Sequence, residues 1–257
     1  MNSATPFLKV DNVSKSFGGL MVIHQLSFSL EEEEILGVIG PNGSGKTTLF
    51  NLITGFLKTD EGKIEYLENN ITNQRPSTIC KFGIARTFQI AKPFIRLTSL
   101  ENVMAGRAYG RESAKDMKQA KKEAMEILDL TNLSRKQDVV AAKLSLIDRK
   151  RLEIARALAT RPKLLLLDEV FAGLNPAEIE EGLRLIMKIK GLGITLMIVE
   201  HVIKVILGVS NRVIVLNLGR FSYMIGSRVN NSPVAAASKI PIRPILSIPL
   251  NMTAVPR

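Results

Sequence analysis

The sequence predicts an α/β fold: a parallel-sheet core, an antiparallel β subdomain ahead of it, and a helical lobe inserted into it. Three observations carry that expectation. The β-type runs "KLLLLDEV", "GITLMIVE" and "NRVIVLNLG" are separated by helix-length segments, as parallel strands joined by crossover helices require. The opening "FLKVDNVSKSFGGLMVIHQLSFSLEEEEILGVIG" alternates short β-type runs with turn residues, as an antiparallel sheet feeding the strand "ILGVIG" would. From about residue 90 to 160 the chain reads as helical. One bilobed domain is expected over residues 1–220, with the helical lobe at about 90–160 and a divergent, disordered tail over 221–257.

Each element has its own sequence basis. Four glutamates, Glu31 to Glu34, occupy the turn before "ILGVIG", which demands an unusual turn chemistry. After a helix-type run, "TDEGKIEYLENNIT" reads as a short hairpin. Within the lobe, "SAKDMKQAKKEAMEILDL" places Met117, Ala120, Ala124, Ile127 and Leu128 on one helix face with lysines opposite. Beyond Arg220 the chain is dotted with prolines, which exclude a long helix, and carries no acid. Its basic residues, Arg220, Arg228, Lys239, Arg243 and Arg257, are too dispersed for the cluster of about 4–8 that binds anionic lipid. No internal repeat or coiled-coil heptad appears.

Composition removes several function classes. The single Cys80 cannot form an intrachain disulfide, and His24 and His201 cannot build a Cys/His zinc site, which fits a reducing compartment. The start lacks the apolar core of a signal, and the longest apolar region, "ITLMIVEHVIKVILGVS", is broken by Glu200, His201 and Lys204, so no membrane span is expected. The net charge is +11, but five of the basic residues lie from Arg220 onward. Tryptophan is absent and aromatics are 5%, so base-stacking platforms are lacking and no nucleic-acid partner is expected.

Residues 40–47, "GPNGSGKT", fit G-x-x-x-x-G-K-[ST] directly after an apolar strand and before a helix-type run. In that setting backbone N–H groups curve around phosphates, Lys46 brings a point charge to the β and γ oxygens, and the Thr47 hydroxyl can ligate Mg²⁺. The strand "KLLLLDE" carries four leucines that bury it on both faces. Asp168 and Glu169 therefore emerge at its carboxyl end, beside the phosphate loop of an open α/β sheet. Asp168 suits Mg²⁺ held through water, and Glu169 suits a base that polarises the attacking water.

Three further features narrow the field. Gln89 in "ARTFQI" precedes the helical lobe, "LSLID" opens the helix before the acid strand, and His201 ends the next apolar strand. In this order the features resemble the Walker A, Q-loop, signature, Walker B, D-loop and switch histidine of the ATP-binding subunit of an ABC transporter, from about Leu8 to Arg220. The fold implied is a P-loop NTPase of the ABC ATPase type, with a RecA-like core. "NLITGFLKTDEGKI", "GIARTFQ", "LTSLENVMAG" and "DEVFAGLNPAEIEE" look most like the ATPases of branched-chain amino acid importers. The resemblance implies that Gly40, Pro41, Asn42, Gly43, Ser44, Gly45, Lys46, Thr47 and Thr48 hold ATP, and that Phe17 stacks on adenine. Thr47, Gln89 and Asp168 would attend Mg²⁺. Glu169, His201, Gln89 and Lys46 would carry catalysis, with His201 at the γ-phosphate and Gln89 relaying movement to a membrane partner. Leu174 and Asn175 fall on the D-loop, with Asn where the family typically has Asp.

The family's usual signature is Leu-Ser-Gly-Gly-Gln, which grips ATP bound to the opposite subunit. Here it reads Leu144, Ser145, Leu146, Ile147, Asp148. Ser145 is kept for the contact in trans, and S-x-x-D still resembles a capping box with its positive helix end open to an anion, although glycine's backbone freedom is gone. With every other catalytic position intact, the expectation is an active ATPase energising import of a small solute, a branched-chain amino acid or a related amino acid or amide. Implied partners are a second ATP-binding subunit, as homo- or heterodimer, transmembrane permease subunits and, indirectly, an extracytoplasmic solute-binding protein. The implied place is peripheral, on the cytoplasmic face of the inner membrane. The alternatives are a soluble ABC ATPase acting on nucleic acid or ribosomes, and an inactive truncated cassette. Past Arg220 the acidic helical ending usual in the family gives way abruptly, as a shifted reading frame would cause.

Overall fold

The computed structural model describes residues 6–89 and 93–226. Strands β1 (Leu8–Phe17), β2 (Leu20–Leu30), β4 (Glu61–Tyr66) and β5 (Asn69–Asn70) form an antiparallel sheet in the order β2-β1-β4-β5. A second sheet runs β10-β9-β3-β8-β7-β6, built from β3 (Ile35–Ile39), β6 (Ile84–Arg86), β7 (Leu164–Asp168), β8 (Thr195–Val199), β9 (Arg212–Asn217) and β10 (Arg220–Gly226). Its strands are parallel except β10, which returns antiparallel on β9. The earliest core strand, β3, thus lies between β8 and β9, near the end of the chain.

Period-two alternation sorts the strand side chains into two cores. Leu164 and Leu166 join Leu8, Leu30, Leu49 and Phe50 in a cluster shared with helix α1 (Lys46–Ile53) and the antiparallel sheet. Leu165 and Leu167 join Ile154, Leu158, Leu185 and Ile186, from helices α5 (Leu146–Ala159) and α6 (Pro176–Lys190). All four leucines of the acid strand are fully buried. The remaining helices are α2 (Pro76–Phe82), α3 (Ser99–Tyr109), α4 (Met117–Leu130) and α7 (Ile203–Val209).

The lobe packs α3, α4 and α5 around Leu100, Val103, Ala124, Leu128, Leu152 and Ala155. Thr98 and Glu101 form a reciprocal cap at the start of α3, and Asp116 caps α4. On α4, Ala120, Ala124 and Leu128 are buried as their spacing predicts, but Met117 is 68% exposed. It is the first helical residue, one turn beyond the buried part of the face. Helix α5 belongs to both bodies: Leu152, Ala155 and Ala159 face the lobe, whereas Ile154, Ala157 and Leu158 face the sheet.

One further expectation is revised. The fold does not end at Arg220, because β10 continues through Gly226, pairing Tyr223 with Val215 and Gly226 with Arg212. The expectation of a disordered tail otherwise concerns residues 227–257, which lie outside the described residues, as do residues 90–92 at the start of the lobe. The turn of four glutamates is built by ion pairing and one left-handed residue. Glu33 holds φ 57 and donates its N–H to Thr195 Oγ1 at 2.9 Å. Buried Glu34 accepts the Glu31 N–H at 2.9 Å and pairs with Arg212. Among the described residues, no helix is long and apolar enough to cross a membrane.

Candidate functional site

The loop of residues 40–45 delivers the chain from the end of β3 to the start of α1. Gly45 caps that helix at φ 97, and no side chain caps it, so the first-turn N–H groups stay open to an anion. A Cβ on Gly45 would lie 2.9 Å from the Val22 carbonyl oxygen, so both the turn and the approach of β2 require glycine. Lys46 is buried and its ammonium donates to the carbonyls of Gly40 at 2.8 Å and Pro41 at 2.9 Å, folding back over the loop. Burial pushes the Lys46 ammonium below its ordinary pKa, against the charges of Glu169 and Asp168. Ser44 is buried with Lys46, whereas Pro41, Asn42, Gly43 and Thr47 are exposed and Thr48 is half-buried.

The end of β7 carries the two acids to different environments. Glu169 stands one residue past the strand at φ 51, and its N–H donates to the Val199 carbonyl at 2.9 Å. Its carboxylate accepts the Gln89 amide at 2.8 Å on one oxygen, and His201 Nε2 lies 2.7 Å from the other. Two residues expected from distant parts of the sequence therefore meet on the carboxylate of a third. Lys150 adds a contact that the sequence did not announce, donating to the Glu169 backbone carbonyl at 3.0 Å. The arrangement offers a nearly buried base whose two oxygens are each held by a different partner.

Asp168 is fully buried, and its N–H donates to Thr87 Oγ1 at 3.0 Å. One carboxylate oxygen accepts Arg86 at 3.0 Å; the other is buried with no hydrogen-bond partner. Burial pushes the Asp168 carboxyl up, opposed by the Arg86 charge, and pushes the Arg86 guanidinium down, opposed by Asp168. Arg86 also donates to Asn51 Oδ1 at 2.5 Å and to the Thr87 carbonyl at 3.2 Å, and lies 4.6 Å from the Phe88 ring centroid. Sequence reasoning missed Arg86. Its only signal was a cation ending the apolar strand "GIAR", which needs a buried carboxylate that local pattern cannot identify.

The donor set fits Mg²⁺. Thr47 and Gln89 carry the hard oxygen atoms that this ion takes, and the unpartnered Asp168 oxygen is a position that a hydrated cation would satisfy. Among the described residues no group of three His, Cys, Asp or Glu side chains could hold a metal by itself.

Two expected nucleotide contacts lie outside this cluster. Phe17 ends β1, 45% exposed, with Lys15 Nζ 5.6 Å from its ring centroid. It pairs with Leu20 on the hairpin whose Val22 and Ile23 border Gly45. Ser145 is exposed at the N-terminus of α5, where its hydroxyl bonds to Asp148 rather than to any residue of the phosphate loop described here. Asn175 caps α6 in a reciprocal pair with Glu178.

Known proteins resemble this chain along most of its length. Residues 23–172 match the family model described as ABC transporter. A probable branched-chain amino acid transport ATP-binding protein LivG of Methanocaldococcus jannaschii is 36% identical over 217 residues, 80% of this chain and 84% of its own. The crystal structure of a nucleotide-free ATP-binding cassette from an ABC transporter matches with a TM-score of 0.82 and 32% identity, over 92% of this chain and 96% of its own. A dimeric ATP-binding cassette in a post-hydrolysis state, bound to ADP and phosphate, matches with a TM-score of 0.79 and 27% identity, over 87% of this chain and 100% of its own. With the phosphate loop, the oriented acid and this likeness together, the chain belongs to the ABC transporter family, as an ATP-binding subunit that hydrolyses ATP.

Proposed function

We propose that this chain powers the import of a small solute, a branched-chain amino acid or a related amino acid or amide. The name of the relative from Methanocaldococcus jannaschii supports that substrate class. In this reading two ATP-binding subunits close on two nucleotides, each held by residues 40–48 of one subunit and Ser145 of the other. Phe17 stacks on adenine. Gln89 passes the closure to permease subunits, for which the neighbouring cavity of about 400 Å³, lined by Phe56, Phe88, Phe94 and Tyr109, offers an apolar seat. The chain then works peripherally at the cytoplasmic face of the membrane, with an extracytoplasmic binding protein as an indirect partner.

The observation that carries the catalytic reading is the meeting of Gln89 and His201 on the Glu169 carboxylate. Glu169 accepts the proton of the attacking water, His201 and Gln89 orient it, and Lys46 draws charge from the β and γ oxygens. Thr47, Gln89 and Asp168 would hold Mg²⁺, which when bound neutralises charge on the phosphate oxygens. Glu169→Gln should keep ATP binding and lower turnover by roughly 10²–10⁴-fold in the reconstituted transporter. Unchanged turnover would remove Glu169 from the role of base. The substrate class is tested by stimulation of ATPase activity with leucine, isoleucine and valine presented by the binding protein.

A further inference from the structure

The first turn of α5 contains an arrangement that the family's usual signature does not have. Asp148 stands at its third position, where that signature carries a neutral glutamine, and is only 3% exposed. Its carboxylate receives Lys136 Nζ at 2.5 Å and the Ser145 hydroxyl at 2.5 Å, with Arg151 at 4.0 Å. In return Ser145 Oγ accepts the Asp148 N–H at 3.3 Å. Although burial pulls the Asp148 carboxyl up, the hydrogen bonds from Lys136 and Ser145 hold it below the ordinary range, so it is an anion at neutral pH.

A serine hydroxyl carries one hydrogen. An ionised carboxylate and a terminal phosphate oxygen are both acceptors, and each needs that hydrogen. Hydroxyl bonds to charged acceptors are about twice as strong as neutral ones, so the internal carboxylate is a real competitor. The backbone offers no way out: Ser145 has φ −64 and ψ 168, and exposed Leu146 and half-buried Ile147 stand where glycines would let the turn re-aim.

We propose that Asp148 restrains the signature of this chain: by holding the Ser145 hydroxyl it weakens the grip on the γ-phosphate of ATP bound to the facing subunit, and so limits closure of the dimer. This rests on the reading that Ser145 acts in trans. Asp148 is here a positioning residue, acting through Ser145. In a homodimer both sites carry the restraint. In a heterodimer only the nucleotide bound by the partner does, while ATP on this chain's own Lys46 is gripped by the partner's signature.

The test uses the full chain carrying Glu169→Gln, so that ATP persists. Affinity of the dilute monomer for a fluorescent ATP analogue is measured beside ATP-dependent dimerisation by analytical ultracentrifugation. Asp148→Asn keeps the shape and removes the charge. It should leave monomer affinity unchanged and raise the dimerisation constant roughly tenfold, about threefold for each of two signatures. Asp148→Gln, the residue of the usual signature, should act in the same direction. Ser145→Ala should lower dimerisation, and adding Asp148→Asn to it should restore nothing, because the two residues form one unit. If Ser145→Ala weakens the dimer but neither Asp148 variant strengthens it, the restraint is refuted and the trans contact stands. If Ser145→Ala leaves dimerisation unchanged, the trans contact falls and the restraint with it.

Discussion

Arg86→Met keeps an unbranched apolar stem beside Phe88 while removing the guanidinium from Asp168. The Asp168 carboxylate would then be fully buried with no side-chain partner on either oxygen, since one is unpartnered already. Removing one member of a buried ion pair costs about 3–5 kcal/mol. For a domain of this size each kcal/mol lowers Tm by about 2–4 °C, so a fall of roughly 6–20 °C is expected. Burial pushes the Asp168 carboxyl up, and losing Arg86 removes the largest opposing charge, so its pKa in the folded state rises further above the unfolded value. The cost belongs to the charged form. The variant's deficit is therefore least below the unfolded pKa of about 3.9 and grows as pH rises through the folded one. Magnesium with ATP should shrink it by supplying a cation to the same carboxylate. Circular-dichroism melts at pH 5 and pH 8, with and without MgATP, read all three effects. A variant melting within about 2 °C of the parent at pH 8 without nucleotide would refute the idea that Arg86 neutralises this acid.

Glu33→Gly should raise Tm by about 2–4 °C, because left-handed backbone costs a non-glycine residue about 1 kcal/mol and the N–H bond to Thr195 is kept; a lower Tm would show that the side chain stabilises the turn. Gly45→Ala should abolish ATP binding measured by titration while far-UV circular dichroism is preserved, since φ 97 and the Val22 carbonyl both oppose a Cβ; affinity within about threefold of the parent would contradict this. Asp148, held below the ordinary carboxyl range, contributes stability above its unfolded pKa that is lost as pH falls through its folded one. The urea midpoint of Asp148→Asn should therefore lie below the parent's at pH 7 and converge with it below about pH 4, and a gap independent of pH would exclude the linkage.

What the sequence makes legible is what local chemistry demands. Gly45 and Lys46 announce themselves because a helix start that binds phosphate needs a left-handed residue and a cation at fixed spacing. The leucines of β7 declare a strand buried on both faces, and so the place where Asp168 and Glu169 emerge. Contacts between distant positions are not legible in this way. Arg86 finds Asn51 and Asp168, and Glu34 finds Arg212, across 35, 82 and 178 positions, and no local period encodes those pairings. Met117 satisfies the period of α4 and still faces solvent, because period fixes a face but not how far along it the neighbours extend. The strand beyond Arg220 was hidden by the strange composition that follows it, although Phe221 and Leu216 pair in register.

The central place of β3 has a consequence for synthesis on the ribosome. Ile39 pairs with Val215, and Ile35 with Leu196, so both neighbours of the first core strand are made about 160–180 residues after it. At about 5–20 residues per second, Ile39 waits roughly 10–35 s for its partner. The antiparallel sheet is free of this delay, since β1, β2, β4 and β5 are all translated by Asn70. Ile35, Leu36 and Val38 must meanwhile be shielded by chaperones or by provisional contacts, for they are fully buried once the sheet is complete. Nucleotide cannot guide these early steps, because the strand that presents the phosphate loop has no flanking strand until β8 and β9 have left the exit tunnel. The sheet around the phosphate loop therefore closes only once β9 has been made.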